Sequence, residues 1–142
     1  MPEDTPTIGS VMTPYPYVID LNSNVAEALA MMRAHHIKHL PVVKEGCAYG
    51  LVSEREINLV LSLNKGFRAV ETILVKEACS LETYIVEMET PLEEVLSYMS
   101  RTHMGSCLVV KDKRVAGIFT SVDACHHFFK FLKTKYRTKK TK

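Results

Sequence analysis

The sequence predicts a mixed α/β (α+β) fold of two pseudo-symmetric β-α-β-β-α units, each with a small mixed sheet, packed as one module. Three observations carry this. First, laying Ile8 on Val75 superposes residues 8–56 on residues 75–123 without a gap, matching Tyr17 with Tyr84, Glu27 with Glu94, Leu29 with Leu96, Met32 with Met99, His36 with His103 and Gly50 with Gly117. Second, hydrophobic runs within each copy switch between strand-like and helix-like spacing. Third, 142 residues, 46% hydrophobic and 24% charged, suffice for one shared core but not for two full-size domains.

Each copy opens with a short run of β-formers, Tyr17-Val18-Ile19 or Tyr84-Ile85-Val86. Ser23 and Thr90 then stand where a helix N-cap is expected, with Pro91 suited to a first turn. Val25, Leu29 and Met32, like Leu92, Leu96 and Met99, recur at the spacing of an amphipathic helix. Apolar runs at 40–43 and 107–110 follow, then turn signals at Lys44-Glu45-Gly46 and Lys111-Asp112-Lys113, then apolar runs at 49–52 and 115–119, which predicts a hairpin in each copy. Ser53 and Thr120 open a second helix, carrying Ile57, Val60 and Leu61 in one copy and Ala124, His127, Phe128 and Phe131 in the other. A strand-helix-strand crossover plus a hairpin gives a mixed sheet of three strands, marginal alone, so the copies are expected to share a core about a pseudo-two-fold axis. The expected division is an N-terminal arm and first repeat over 1–62, a linker over 63–74 containing Lys65-Gly66, a second repeat over 75–130 and a basic tail over 131–142.

Charge is distributed unevenly. Residues 130–142 hold seven of the 18 basic residues and no acid, leaving eleven basic against sixteen acidic residues in 1–129, a net of −5 beneath an overall +2. The body is therefore no natural polyanion binder. The tail is either a solvated segment or the place for nonspecific, salt-sensitive polyanion contact, with Tyr136 available for stacking. The start lacks the pattern of a secretory signal, and no apolar run approaches a bilayer span, so a cytoplasmic location with no membrane is expected. The cysteines Cys47, Cys79, Cys107 and Cys125 form no CxxC pair, which suits a reducing compartment. Cys125-His126-His127 would point about 100° apart on a helix and so not converge on one ion. No nucleophile-and-base signature is present. Neither catalytic residues nor a metal are expected.

Each closing strand enters its helix through Gly-apolar-apolar-Ser/Thr-x-x-acid: Gly50-Leu51-Val52-Ser53-Glu54-Arg55-Glu56 and Gly117-Ile118-Phe119-Thr120-Ser121-Val122-Asp123. Two readings are open. Ser-x-x-Glu and Thr-x-x-Asp are capping boxes or near variants of them. A carboxylate in a first helical turn also accepts hydrogen bonds from both hydroxyls of a ribose, and the helix N-terminus beside it favours phosphate.

With Val11-Met12-Thr13-Pro14 before the first strand and His36-Ile37-Lys38-His39-Leu40-Pro41-Val42 entering the second, residues 8 to about 131 resemble the CBS-domain family, named for cystathionine β-synthase. The resemblance implies a non-catalytic regulatory pair that binds an adenosyl ligand, AMP, ADP, ATP or S-adenosylmethionine, in a cleft between repeats. It further implies energy sensing, a homodimer, and signalling to an unidentified protein partner through a change of shape. Ribose binding would fall to Thr120, Asp123, Ser53 and Glu56, although Glu56 departs from the usual aspartate and suits capping better. Adenine contacts would come from Thr13, Tyr17, Val18, Ile37, His39 and Pro41 for the first site and from Ser80, Tyr84, Ile85, Met104, Ser106 and Leu108 for the second. Arg55 and Lys38 are the best phosphate partners in the body, and Val122 and Gly105 replace them in the second copy. The alternative is a scaffolding dimer without ligand, acting through the apolar faces at 57–63 and 128–132 or through the basic tail.

Overall fold

Both hairpins form where the sequence places turn residues between apolar runs. In a computed structural model describing residues 5–80 and 82–137, β3 (His39–Lys44) and β4 (Cys47–Ser53) pair antiparallel, as do β6 (Ser106–Lys111) and β7 (Arg114–Thr120). The two turn residues have positive φ in each case, 51° and 81° at Glu45-Gly46 and 52° and 69° at Asp112-Lys113. That geometry matches the right-handed twist of the strands it joins. The strands β2 (Ile19–Asp20) and β5 (Ile85–Glu87) lie parallel to β3 and β6, and the connecting helices are α1 (Val25–His35) and α4 (Leu92–Thr102). β1 (Thr13–Pro14) pairs with β7, so the sheet orders are β1-β7-β6-β5 and β2-β3-β4.

The crossover helices begin one residue later than the expected caps at Ser23 and Thr90. Asn24 is the N-cap of α1, its Oδ1 accepting from the Glu27 amide at 2.8 Å while Glu27 Oε1 accepts from the Asn24 amide at 3.1 Å. Pro91 is the corresponding residue of α4. The carbonyls of Ser23 and Thr90 are instead used to dock distant segments, accepting from Val75 at 2.7 Å and Ile8 at 2.8 Å.

Those two bonds belong to a reciprocal exchange. The segment entering each repeat packs in the core of the other, and the hydrogen bonds that hold it obey the repeat register. Val25 donates to Ile73 and Leu92 to Pro6, while Lys76 donates to Leu21 and Gly9 to Met88. Ile73 and Val75, the latter opening the short helix α3 (Val75–Ala78), are buried with Val25, Leu40, Val52 and Ile57. Ile8 is buried with Val95, Cys107, Val109 and Phe119. Residues 73 and 74, at the end of the expected linker, are thus structural parts of the first repeat. Upstream, Arg68 ties the linker down by donating to both oxygens of Glu77 at 2.6 and 3.0 Å and to the Thr72 carbonyl at 2.7 Å.

The exchange explains the glycine that opens the motif. A Cβ on Gly117 would fall against Met12 Sδ and 2.8 Å from the Thr13 carbonyl oxygen, and one on Gly50 would lie 2.9 Å from Cys79 Sγ. Only a residue without a side chain lets the incoming segment cross here. A third cluster, Leu51, Leu108, Val110 and Ile118, joins the two sheets, and Ala48 donates to Lys113 at 2.8 Å across them.

α2 (Glu54–Leu63) and α5 (Ser121–Tyr136) close the repeats. Ile57 of α2 is fully buried, whereas α5 contains no buried residue. The expected basic tail begins as the last turns of α5; Lys139, Lys140 and Lys142 lie outside the described residues, as do residues 1–4. No described helix is long and apolar enough to cross a membrane.

Candidate functional site

Both acid motifs fold as capping boxes, and each uses only one carboxylate oxygen to do so. Ser53 Oγ accepts from the Glu56 amide at 3.0 Å, while Glu56 Oε1 accepts from the Ser53 amide at 2.9 Å and from its hydroxyl at 3.1 Å. Asp123 Oδ2 likewise accepts from the Thr120 amide at 2.9 Å and hydroxyl at 3.3 Å, and Thr120 Oγ1 accepts from the Asp123 amide at 3.4 Å. Glu56 Oε2 and Asp123 Oδ1 take no hydrogen bond among the described residues. A carboxylate that caps its helix through one oxygen still offers the other, so the two readings of the motif are compatible.

Beside Glu56 lies a cavity of about 430 Å³. Ser53, Arg55 and Glu56 line it from the start of α2, with His39 and Leu51 from the adjoining strands. Ser80, Glu82, Thr83 and Tyr84, together with Met104, Gly105 and Ser106, line it from the second repeat. The cavity therefore combines the ribose candidates of one copy with the adenine candidates of the other. The cause is the exchange: Ser80 donates to the Leu51 carbonyl at 3.2 Å, and Leu51 donates to Thr83 Oγ1 at 3.1 Å, which lays the 80–84 loop along β4. In the other direction β1 lays Thr13 on Ile118, two residues from Thr120, and Tyr15 donates to Ala116. By the repeat register, Thr13, Tyr17, Ile37 and His39 are then the counterparts that belong with Thr120 and Asp123.

The remaining sequence candidates fall in different surroundings. Tyr84 is half-buried with its ring stacked on Tyr98 at 4.0 Å, and burial raises its pKa, keeping a neutral phenol. Tyr17 stacks on His35 at 3.6 Å. Val18, expected in the first strand, is exposed just before β2, Ile85 is exposed at the start of β5, Ile37 packs on the first core, and Pro41 and Leu108 are buried within β3 and β6. Leu108 belongs to the cluster between the sheets and does not line the 430 Å³ cavity. Lys38 lines a separate depression with Arg33 and His36, so Arg55 and Lys38 do not meet in one cavity. Burial lowers the pKa of His39, and the nearby Glu56 carboxylate offsets part of that shift. Glu82 and Thr83 are cavity residues that motif reading missed; their signal was the alignment of their loop with the Thr13–Tyr17 stretch.

Two cysteines are inert. Burial pushes the Cys107 thiol up to about 12, and burial with the Glu56 charge pushes Cys79 up to about 11, so neither offers a thiolate near neutral pH. His127 lies 3.2 Å from the Val11 carbonyl, and no group of three potential metal ligands exists among the described residues.

The fold, with its exchanged entry segments and inter-repeat cavity, defines a CBS domain pair. The CBS domain family model matches residues 8–62 and 75–130, and the chain belongs to that family. A curated relative, L-aspartate semialdehyde sulfurtransferase of Methanocaldococcus jannaschii, is 28% identical over 123 residues, 85% of this chain, and the chain spans 23% of that protein's length. Among solved structures, the CBS domain pair of protein MJ0100 in complex with 5′-methylthioadenosine and S-adenosyl-L-methionine is 25% identical, with a TM-score of 0.75 over 87% of this chain and 96% of that one. CBSX2 in complex with AMP is 22% identical, with a TM-score of 0.72 over 88% of this chain and 97% of that one, a likeness of fold alone. Such pairs are in general regulatory rather than catalytic.

Proposed function

We propose that the chain is a non-catalytic regulatory module that takes an adenosyl ligand between its repeats and signals occupancy to a protein partner. The observation that carries this is the cavity of about 430 Å³, within the size range of small-ligand pockets, where Ser53 and Glu56 of one repeat meet Ser80, Tyr84, Met104 and Ser106 of the other. The free oxygen of Glu56 accepts from the ribose diol. Tyr84 and Met104 supply apolar surface for adenine, and the backbone at Ser80 and Ser106 reads its edge. Thr120 and Asp123 hold the ribose of a second ligand with Thr13, Tyr17 and Ile37. The similar MJ0100 pair, bound to 5′-methylthioadenosine and S-adenosyl-L-methionine, supports an adenosyl ligand here.

A ligand touching both repeats shifts their arrangement only if it binds two arrangements unequally, and this is the requirement for signalling. The module pairs with a second copy through the exposed Leu59 and Leu63 of α2 and Phe128, Phe129 and Leu132 of α5, acting in the cytoplasm. Light scattering at the dimer mass is expected, and a monomer at all working concentrations would remove that part.

Titration calorimetry of refolded, ligand-stripped protein with AMP, ADP, ATP and S-adenosylmethionine tests the reading. Glu56→Gln and Asp123→Asn retain an acceptor for the caps while removing the carboxylate, so melting should change little. At least one ligand is expected to bind, and at least one variant to weaken it about tenfold or more, the loss of a charged hydrogen bond. Native affinity in both variants, or no binding by the native chain, defeats the proposal.

A further inference from the structure

The two halves of the molecule act as each other's control. What both copies retain, a hydroxyl and an acid at the helix start (Ser53 and Glu56, Thr120 and Asp123) and a tyrosine (Tyr84, Tyr17), suits a part common to both ligands. A change of charge between the copies, by contrast, suits a part that is not common. In the 430 Å³ cavity the charged residues without charged counterparts are Arg55, whose mate is Val122, and Glu82, whose mate is Tyr15. Both are exposed at the cavity wall, and neither forms an ion pair among the described residues. Opposite charges that line one cavity yet leave each other unpaired are available to a ligand carrying both signs.

Building on the adenosyl reading above, we infer that this cavity selects an adenosyl compound whose 5′ substituent ends in a zwitterionic α-amino acid, its carboxylate on Arg55 and its ammonium on Glu82. A polyphosphate tail is the wrong shape of charge for it. It would meet one guanidinium and two carboxylates, Glu82 and Glu56, of which the second is already occupied by the ribose. Like charges so placed in a partly desolvated cleft repel, and among the described lining residues Arg55 is the one cation that offsets them, seconded only by the partial charge of the α2 N-terminus. An amino-acid tail places one charge of each sign against its opposite, and the guanidinium fork fits a carboxylate with two parallel hydrogen bonds.

The test compares S-adenosylmethionine, S-adenosylhomocysteine, 5′-methylthioadenosine, AMP and ATP by calorimetry on the stripped full chain and on Glu82→Gln and Arg55→Gln. S-adenosylhomocysteine differs from S-adenosylmethionine in lacking the sulfonium charge, and 5′-methylthioadenosine lacks the amino acid altogether. Both amino-acid compounds are expected to bind more tightly than 5′-methylthioadenosine and ATP. Each variant should weaken them about fivefold, the scale of a partly exposed charge pair, while 5′-methylthioadenosine binding stays unchanged. Equal affinity for 5′-methylthioadenosine and S-adenosylhomocysteine, with no effect of Glu82→Gln, overturns the inference and leaves the adenosyl reading standing. So does tightest binding of AMP with a loss confined to Arg55→Gln, which would make the arginine a phosphate contact. Failure of all five compounds removes the adenosyl reading itself and this inference with it.

Discussion

α2 and α5 start from the same motif and end in opposite circumstances. Ser53 and Thr120 cap them through the same pattern of hydrogen bonds, yet α2 sends Ile57 fully into the first core while α5 buries no residue and leaves Phe128 61%, Phe129 58% and Phe131 55% exposed. The repeat register shows where they part. Beyond the first turn, Leu59, Val60 and Leu63 of α2 become His126, His127 and Lys130 in α5. The shared first turn is a capping box in both helices, and under the proposed function it also serves a ligand cleft. The rest of each helix differs in its surroundings: α2 packs into the first core, whereas α5 touches the second core through Ala124 and leaves its aromatic face exposed.

The largest expected effect breaks this comparison at its centre. Ile57→Ala opens a cavity in a closed core and should cost about 2–5 kcal/mol, whereas Phe128→Ala, on an exposed face, should stay within about 0.5 kcal/mol in dilute monomer. Urea melts at low and high protein concentration measure both. A large loss from Phe128→Ala that appears only at high concentration would assign its face to a second copy, and a large loss at every concentration would mean that this aromatic face packs on its own chain.

A second effect sharpens the comparison where the entry segments cross. An added methyl at position 117 meets the Thr13 carbonyl at 2.8 Å, a backbone atom of the paired strand β1; at position 50 the nearest atoms are the side chains of Cys79 and Thr83. Side chains give way more easily than paired backbone. Gly117→Ala should therefore cost about 1–3 kcal/mol, as overpacking does, and Gly50→Ala less. Denaturant midpoints with unchanged slopes would establish this order, and the reverse order would show that β1 yields.

What the sequence revealed of all this follows from what is local. The caps at Ser53 and Thr120, the two-residue turns and the hairpin strands depend on residues a few positions apart, and all were legible. The caps of α1 and α4 were misplaced by one residue because the Ser23 and Thr90 carbonyls serve bonds to Val75 and Ile8, partners too remote for local pattern to show. The same remoteness hid the composition of the cavity. Ser53 and Glu56 were legible as a pair, as were Ser80, Tyr84, Met104 and Ser106 as a group. That the two sets meet depends on the crossing at Gly50, and Glu82 and Thr83 enter the cavity only because of that crossing.

Smaller still is the difference between the two caps. Ser53→Ala and Thr120→Ala should each cost about 1 kcal/mol, the usual value of an N-cap. The serine should cost more, because its oxygen lies 3.0 Å from the Glu56 amide, against 3.4 Å for the threonine and Asp123. Thermal melts of the two single variants decide it, and equal losses would mean that these distances do not rank the caps.

The smallest effect concerns how the two entry segments are held. Ser10, in the segment exchanged into the second repeat, donates to the Thr7 carbonyl and carries no charge, whereas its counterpart Glu77 is clamped by Arg68 and by the Leu74 amide. The hydrogen bonds from the Arg68 guanidinium, seconded by that amide, hold the Glu77 carboxyl at about 2, well below its ordinary 4.5. A carboxyl lowered on folding stabilises the native state fully above its unfolded value, and that contribution is lost as pH falls from about 4.5 through 2. The pair is partly exposed and therefore screened, so the effect is small and weakens further in salt. The stability difference between native protein and Glu77→Gln should thus be constant near neutrality and close progressively below pH 4.5, because in acid the native carboxyl becomes as neutral as the amide. Ser10→Ala should show no such slope. A difference for Glu77→Gln that persists unchanged to pH 2 would mean that the clamp acts through shape rather than charge, and that the two segments are held alike after all.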